Sequence, residues 1–278
     1  MKETIRNGFP CSLTLRVLIL HVSQRTASQT YESVLTNVEV LFFDLDETVL
    51  DWQGTVAQEL RRQGNKYFSN VTDVDWEGFA MKWKEGYLFN IRNIAERGES
   101  VPPDTVYRTV LDQLLAKEEQ MLVSRWTTTV RDQLVEVWNR CQAWPNAGEE
   151  LKAMKEIKHV ATFSNLCLRT QAQMSRDAGL SWDACLSGSL LGFYKPDPEA
   201  YKKAANSMNT PEINCAMVST NLDELRVASS VGMKTVLIQR PSNSADPESE
   251  VLNKLQGGEV DVVVESFGHL AIALGCEE

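Results

Sequence analysis

Several features are scarce in this sequence of 278 residues, and each absence narrows the class of protein. No apolar run reaches the roughly 18 to 20 residues that a membrane-spanning helix needs. The run that comes closest, 12–22, is short and is interrupted by Arg16. The six cysteines have neither CxxC nor Cys/His ligand spacing, which favours reduced core thiols over a metal site or a disulfide framework. A formal net charge of -10 disfavours nucleic acid and anionic membranes as partners.

The composition is that of a globular protein with a substantial core, since 43% of the residues are hydrophobic and 24% are charged. Reduced cysteines indicate a reducing compartment, so we predict a cytoplasmic protein. Residues 1–37 precede the first predicted strand, and we expect them to form an N-terminal extension that is loosely attached or disordered. Because 4–31 contain three arginines and no acidic residue, organelle targeting through 1–37 is the alternative.

Apolar runs of strand length alternate with helical stretches after this extension. The first run, 38–44, is continuous, as expected for a strand buried on both faces of a parallel sheet. Others follow at 158–165, 215–221, 234–241 and 261–266. This alternation predicts an α/β fold with a Rossmann-like, doubly wound parallel sheet. In such sheets ligands bind beyond the carboxyl ends of the strands.

The interval 53–147 breaks this rhythm and is predicted to be helical. The apolar residues of one predicted helix repeat every four positions: Phe79, Trp83, Tyr87 and Ile91. We therefore predict a helical cap domain, 53–147, inserted into a core formed by 38–52 and 148–278. An insert after the first strand would lie over the carboxyl end of that strand. It would then act as a lid, with Trp83 and Tyr87 facing a substrate.

Polar side chains follow the predicted strands at their carboxyl ends. Asp44 and Asp46 point toward one crevice, where one carboxylate could attack an electrophilic carbon or phosphorus and the other could act as a general acid. Such acids also cap helices, which is the structural alternative. Ser164 and Asn165 end the second predicted strand, where hydroxyl and amide donors can hold an anion, although a Ser-Asn pair is often only a turn.

Two further groups complete this set. Lys195 lies in GFYKPDPEAY, where the prolines fix the backbone and direct the ammonium toward the crevice. There it would keep a nucleophilic carboxylate ionised, whereas an ordinary lysine would be solvated. Ser219 and Asn221 follow the third predicted strand, with Asp223 and Glu224 just beyond them. These acids could bind a metal, position water, or favour the N-terminus of the next helix.

The order of these groups, with a helical insert after the first, resembles the haloacid dehalogenase-like superfamily of hydrolases. Within it, the sequence resembles the type II (S)-2-haloacid dehalogenase branch. FFDLDETVLDW resembles the first motif, AWPNAGEELKAMK leading to ATFSN the second, GFYKPDPEAY the third, and MVSTNLDELRVASSVGMKTVLIQRP the fourth. The resemblance runs from about Val38 to the C-terminus and is specific for the four motifs as a set.

The resemblance implies a hydrolase that needs no cofactor and acts on a small carboxylate-bearing molecule. Asp44 would be the nucleophile and would form a covalent aspartyl ester. Thr48 would hydrogen-bond near it, Ser164 would bind the substrate carboxylate, and Asn165 would help to receive the halide.

The remaining roles follow in the same way. Lys195 would stabilise the carboxylates, with Tyr201 packing nearby at the substrate. Ser219, Asn221 and Glu224 would assist hydrolysis of the ester. Homodimers are common in the resembled branch, so a homodimer is a further expectation.

Two positions depart from this branch and leave an alternative open. Asp46 stands where those dehalogenases have an aromatic residue, and Lys84 stands where their cap supplies an arginine near the leaving halide. Asp46 would suit a Mg²⁺-dependent phosphatase of the same superfamily, acting on a small phosphate monoester with this residue as general acid. Its candidate metal ligands are Asp44, Asp46, Asp223 and Glu224.

Overall fold

The computed structural model describes residues 31–67, 74–97, 101–118, 125–240 and 251–276. The predicted extension 1–37 therefore lies mostly outside the described residues. Among the helices that are described, none is long and apolar enough to cross a membrane.

The strands form a large parallel sheet and a small antiparallel one. In chain order they are β1 Val40–Phe43, β2 Leu50–Asp51, β3 Gln142–Ala143, β4 His159–Ser164, β5 Ala184–Ser187, β6 Cys215–Ser219, β7 Lys234–Ile238 and β8 Val262–Val264. The large sheet has the order β5-β4-β1-β6-β7-β8, and all of its pairings are parallel. Strand β1 lies at its centre, between β4 and β6. The predicted Rossmann-like parallel sheet is confirmed.

Helices surround this sheet and fill the interval after β2. They are α1 Trp52–Tyr67, α2 Trp76–Glu96, α3 Pro103–Glu118, α4 Thr128–Val137, α5 Ala147–Lys155, α6 Leu168–Asp177, α7 Gly188–Leu191, α8 Pro198–Ser207, α9 Leu222–Ser230 and α10 Phe267–Ala273. Local sequence signals set several of their starts. A proline opens α3 and α8, and the Asn221 side chain accepts hydrogen bonds from the first amides of α9.

Strand β1 is apolar throughout because both faces of the sheet are covered. Its four residues are fully buried. On one face Phe43 packs edge to face against Phe267 of α10, and on the other Phe42 packs against Phe163 of β4. A buried strand of this kind fixes the position of whatever follows its carboxyl end.

We call residues 52–140 the cap. Its helices α1 to α4 lie between β2 and β3, which pair with each other in antiparallel orientation at its base. A column of stacked rings forms its interior, with Tyr107 stacked on Tyr87 at 3.8 Å and on Trp138 at 4.5 Å between ring centroids. Trp138 stacks in turn on Trp52. The division of the chain at 53 and 147 stays a prediction, although the helical content of the interval agrees with it.

Three strands were not predicted from the sequence. β2 and β3 have two residues each, which is too short for any apolar run to signal. β5 is an edge strand of four residues, ACLS, whose first two are only partly buried. Edge strands need less apolar surface than central ones, so their sequence signal is weak.

Candidate active site

Asp44 follows the central strand directly and is the residue around which the site is built. Its backbone N–H donates to Val218 O at 3.0 Å, which continues the β1–β6 pairing and fixes the main chain at this point. The residue is only 8% exposed. Lys195 Nζ donates to one carboxylate oxygen, Oδ1, at 2.6 Å. The Thr48 hydroxyl lies at 3.4 Å from the other oxygen, Oδ2.

Lys195 reaches Asp44 from the loop between α7 and α8, and its side chain is 1% exposed. A second carboxylate, that of Glu224, accepts from the same Nζ at 2.9 Å. The ammonium also lies 5.3 Å from the centroid of the Phe163 ring. Asn165 fixes the lysine main chain, because its side-chain amide exchanges two hydrogen bonds of 2.8 Å with the Lys195 N–H and carbonyl. This amide was predicted to receive a halide, and in the structure it holds Lys195.

The electrostatics of the three charged groups are coupled. Burial raises the pKa of Asp44 to about 7; Lys195 opposes this effect and Glu224 adds to it. Burial alone would lower the pKa of Lys195, but the two carboxylates reverse that effect and raise it. The lysine is therefore fully charged at neutral pH, while the Asp44 carboxylate gains its charge near neutrality.

The polar cluster after β6 is divided between two tasks. The Ser219 hydroxyl donates to Glu224 Oε2 at 3.1 Å and so holds the carboxylate that faces Lys195. Asn221 Oδ1 instead accepts from the backbone of Asp223 at 2.9 Å, as a helix cap does. Of the predicted group, Ser219 and Glu224 thus join the site, and Asn221 positions the helix that carries Glu224.

Asp46 and Lys84 form an ion pair between the loop after β1 and cap helix α2. The Lys84 ammonium also lies 5.2 Å from the Trp52 ring and 5.4 Å from the Trp138 ring. Asp46 therefore accepts from an ammonium in this arrangement. The pair joins the two positions at which the sequence departs from the dehalogenase branch, and it links the core to the cap.

Three other predicted site residues, Ser164, Trp83 and Tyr201, are buried. Ser164 ends β4 and is buried, with its hydroxyl oxygen accepting from the Leu166 N–H at 3.2 Å. Trp83 is fully buried in the cap, where its indole N–H donates to Tyr107 O at 2.8 Å. Its side chain offers no surface to a substrate, which corrects the prediction for that residue. Tyr201 is also fully buried and packs edge to face against Phe163, the residue whose ring faces the Lys195 ammonium.

The candidate magnesium ligands do not fit a metal site. The Asp223 side chain is 78% exposed and pairs with Arg226 outside the crevice, which corrects its assignment. Between Asp44 and Glu224 lies the Lys195 ammonium, which already neutralises those carboxylates. Ser219 and Thr220 are hydroxyl residues, whereas Mg²⁺ in proteins is held by one or two carboxylates. The described residues contain no group of three or more His, Cys, Asp or Glu side chains that could hold a metal ion.

Sequence reasoning missed the part played by Thr220. Its backbone N–H donates to the Thr48 hydroxyl oxygen at 3.0 Å, and its own hydroxyl lies 3.5 Å from the same atom. Thr48 is thereby held between the ends of β1 and β6. Its neighbours Ser219 and Asn221 were predicted, but a backbone donor leaves no residue-type signal by which it could be found.

An open groove of about 910 Å³ lies at the amino-terminal ends of the sheet strands, on the opposite side from Asp44. Residues before β1, β4 and β6 line it, among them Glu39 and Lys158, together with Lys234 at the start of β7. Since ligands of doubly wound sheets bind at the carboxyl ends of the strands, the constellation around Asp44 is the better candidate site.

Comparison with known proteins identifies the family of this chain. The family model for haloacid dehalogenase-like hydrolases matches residues 38–232, more than half of the chain. The chain belongs to the haloacid dehalogenase-like hydrolases. The predicted family is thus confirmed, and the chain is a hydrolase. The first three motifs, the first part of the fourth, and the site residues Asp44, Lys195 and Glu224 lie within the matched residues.

Individual members of the family are similar over different lengths. "(S)-2-haloacid dehalogenase 4A" of Burkholderia cepacia is 32% identical over 124 residues, which are 43% of this chain and 53% of that protein. The chain thus spans about half the length of this curated relative. The crystal structure of a defluorinating L-2-haloacid dehalogenase is 23% identical, covers 86% of this chain and 95% of its own, and has a TM-score of 0.70. That of the Xanthobacter autotrophicus L-2-haloacid dehalogenase has 20% identity, coverage of 84% and 97%, and a TM-score of 0.62. At these identities the two structures show the fold.

Proposed function

We propose that this hydrolase uses Asp44 as a nucleophile on a small carboxylate-bearing molecule and forms a covalent aspartyl ester. The observation that carries the proposal is the environment of the carboxylate. Lys195 holds Oδ1 at 2.6 Å, whereas Oδ2 has only the longer contact of 3.4 Å with Thr48. Oδ2 therefore keeps more of its electron density available for attack.

The reaction would proceed in two steps. In the first, Asp44 Oδ2 forms a bond to the α-carbon of the substrate while the carbon–halogen bond, or the bond to another leaving group that is stable as an anion, breaks. In the second, water adds to the carboxyl carbon of Asp44, and the ester bond breaks. The products are a 2-hydroxy acid, the free Asp44 carboxylate and a proton. Both steps exchange one bond for another and need no oxidant, reductant or metal.

The surrounding residues have distinct tasks in this scheme. Lys195 would stabilise the charge of Asp44 before attack and the oxyanion that forms on its carboxyl group during ester hydrolysis. Glu224, held by Ser219 at 3.1 Å, is the nearby carboxylate that would receive a proton from the attacking water. Ser164, at the carboxyl end of β4, would donate to the substrate carboxylate.

The experiment incubates the purified protein with a panel of 2-haloacids and phosphate monoesters, in the presence of Mg²⁺ or of EDTA. Released halide and inorganic phosphate are both measured. We expect halide release that is unaffected by EDTA and is lost in Asp44→Asn. Asp132→Asn, an exposed aspartate of the cap, is the matched control and should retain activity.

The alternative outcome is equally definite. Phosphate release that needs Mg²⁺ would contradict the proposal and would assign general-acid chemistry to Asp46. That carboxylate would first have to leave Lys84, with which it pairs in the structure.

We also propose a cytoplasmic homodimer, as predicted from the cysteines and from the resembled branch. Sedimentation equilibrium of the purified chain tests the assembly. A mass of one chain at all concentrations would contradict it.

A further inference from the structure

The loop that follows Asp44 is held by two residues from distant parts of the chain. Three consecutive carbonyl groups of this loop each accept a hydrogen bond. The Trp144 indole N–H donates to Glu47 O at 2.8 Å, and the Trp144 backbone N–H donates to Val49 O at 3.0 Å. Between them, Arg240 Nη2 donates to Thr48 O at 2.7 Å. We call Trp144 and Arg240 the clamp.

The two clamp residues also restrain each other. The Arg240 guanidinium lies 4.7 Å from the centroid of the Trp144 ring and 4.9 Å from that of Phe267. A planar cation between two aromatic rings is limited in the directions in which it can donate. Burial lowers the pKa of Arg240 to about 10, against the opposite effect of two carboxylates. It therefore remains charged at neutral pH.

The loop between Asp44 and β2 needs such support. Glu47 has a φ of 64°, in the left-handed region that residues with a side chain rarely adopt. A backbone of this kind persists only where its surroundings hold it. Thr48, the next residue, has its carbonyl on Arg240 and its hydroxyl between Asp44 Oδ2 and the Thr220 N–H. A shift of the Thr48 backbone would therefore move the hydroxyl away from Asp44.

We propose that Trp144 and Arg240 are positioning residues for the nucleophile, which they orient through the Thr48 backbone. Trp144 lies between β3 and α5, and Arg240 lies in the loop after β7. Both residues hold the loop that follows Asp44. The clamp's effect on turnover rests on the proposed function of Asp44. Its effect on the position of Thr48 does not, so the two can be tested apart.

Trp144→Phe is the sharpest variant, because it keeps an aromatic ring, although a smaller one, against Arg240 and removes the indole donor to Glu47. A displaced catalytic group can cost up to about 100-fold in rate, so we expect kcat to fall by at least about tenfold while KM changes less than about threefold. The matched control is Trp182→Phe, which removes an indole hydrogen bond of 2.9 Å to Ser175 elsewhere in the core. It should keep kcat within about twofold.

A second measurement needs no substrate. Hydrogen exchange of the Thr220 amide, followed by NMR, reports whether the Thr48 hydroxyl is still in place as its acceptor. In Trp144→Phe and in Arg240→Lys, which keeps the charge but lacks the planar fork, this amide should exchange at least about tenfold faster. The amides of β4 serve as the internal reference and should be unchanged.

A selective fall in kcat together with faster Thr220 exchange in both clamp variants supports the proposal. Equal losses of kcat in Trp144→Phe and Trp182→Phe overturn it, and so does unchanged Thr220 exchange in both clamp variants. If the wild-type protein releases neither halide nor phosphate, the proposed function fails, and the exchange of Thr220 still decides whether the clamp positions Thr48.

Discussion

Replacement of Lys195 by methionine tests the electrostatic core of the site. The ammonium has a side-chain exposure of 1% and lies between the carboxylates of Asp44 and Glu224, which are 11% and 14% exposed. Methionine is close in length but has no charge, so two buried carboxylates would lose their partner. Breaking a buried ion pair by removal of one member costs about 3 to 5 kcal/mol. We expect Lys195→Met to lower the free energy of unfolding by that amount at pH 8.

The loss of stability in Lys195→Met should depend on pH, because the pKa of Asp44 decides whether its unpaired carboxyl group is charged. The pKa of Asp44 is already raised to about 7 by burial, and loss of Lys195 raises it further. A carboxyl group whose pKa is higher in the folded state than in the unfolded state stabilises the fold at low pH, and that contribution is lost as pH rises through the folded pKa. The variant should therefore lose much less stability at pH 5.5 than at pH 8.

Urea unfolding followed by tryptophan fluorescence measures both values. Lys202→Met is the matched control, because Lys202 pairs with Glu199 on the surface with both side chains about half exposed. It should change the free energy of unfolding by less than about 1 kcal/mol. A Lys195→Met variant that loses no more than this control, or that loses the same amount at both pH values, would refute the reasoning.

Three further predictions follow from the same geometry. Asp44 must be ionised to attack, and burial raises its pKa to about 7, so kcat/KM should rise with pH and level off above an inflection near 7. An inflection near 4 would contradict this prediction. A double-mutant cycle of Asp46→Asn and Lys84→Met, measured by urea unfolding, should show a coupling free energy of about 0.2 to 1 kcal/mol, as other partly exposed ion pairs do. Strict additivity of the two single variants would mean that the pair does not form in solution. Trp138→Ala removes a ring from the middle of the column of stacked rings in the cap and should lower the free energy of unfolding by about 3 to 5 kcal/mol. Its control, Phe89→Ala at an exposed cap position, should change the free energy of unfolding by less than about 0.5 kcal/mol.

The fold and the centre of the site could be predicted because their signals are local. The continuous apolar run of β1 marks a strand covered on both faces, and Asp44 follows it directly. Parallel strands bring their carboxyl ends to one edge, so residues after β4 and β6 were expected near Asp44. Lys195 was found because two prolines follow it closely in a motif that also carries a family resemblance.

Other features depend on how separate elements meet in space. Lys84 and Asp46 were each noticed as departures, but their pairing needs the orientation of α2 above the loop after β1, and no local pattern encodes it. Trp83 was placed on the substrate side because a helical stripe shows which residues are apolar and not which face meets a ligand. Asp223 was a candidate ligand by residue type alone, and its ion pair with Arg226 turns it outward.

The central claim is that Asp44 becomes covalently attached to the substrate. The most direct measurement is a single turnover in H₂¹⁸O with the enzyme in excess, followed by mass spectrometry of the peptide that contains Asp44. If water hydrolyses an ester at the Asp44 carboxyl carbon, the label enters Asp44 and the product carries unlabelled oxygen. Label in the product, with an unlabelled Asp44, would show direct attack of water on the substrate and would contradict the account.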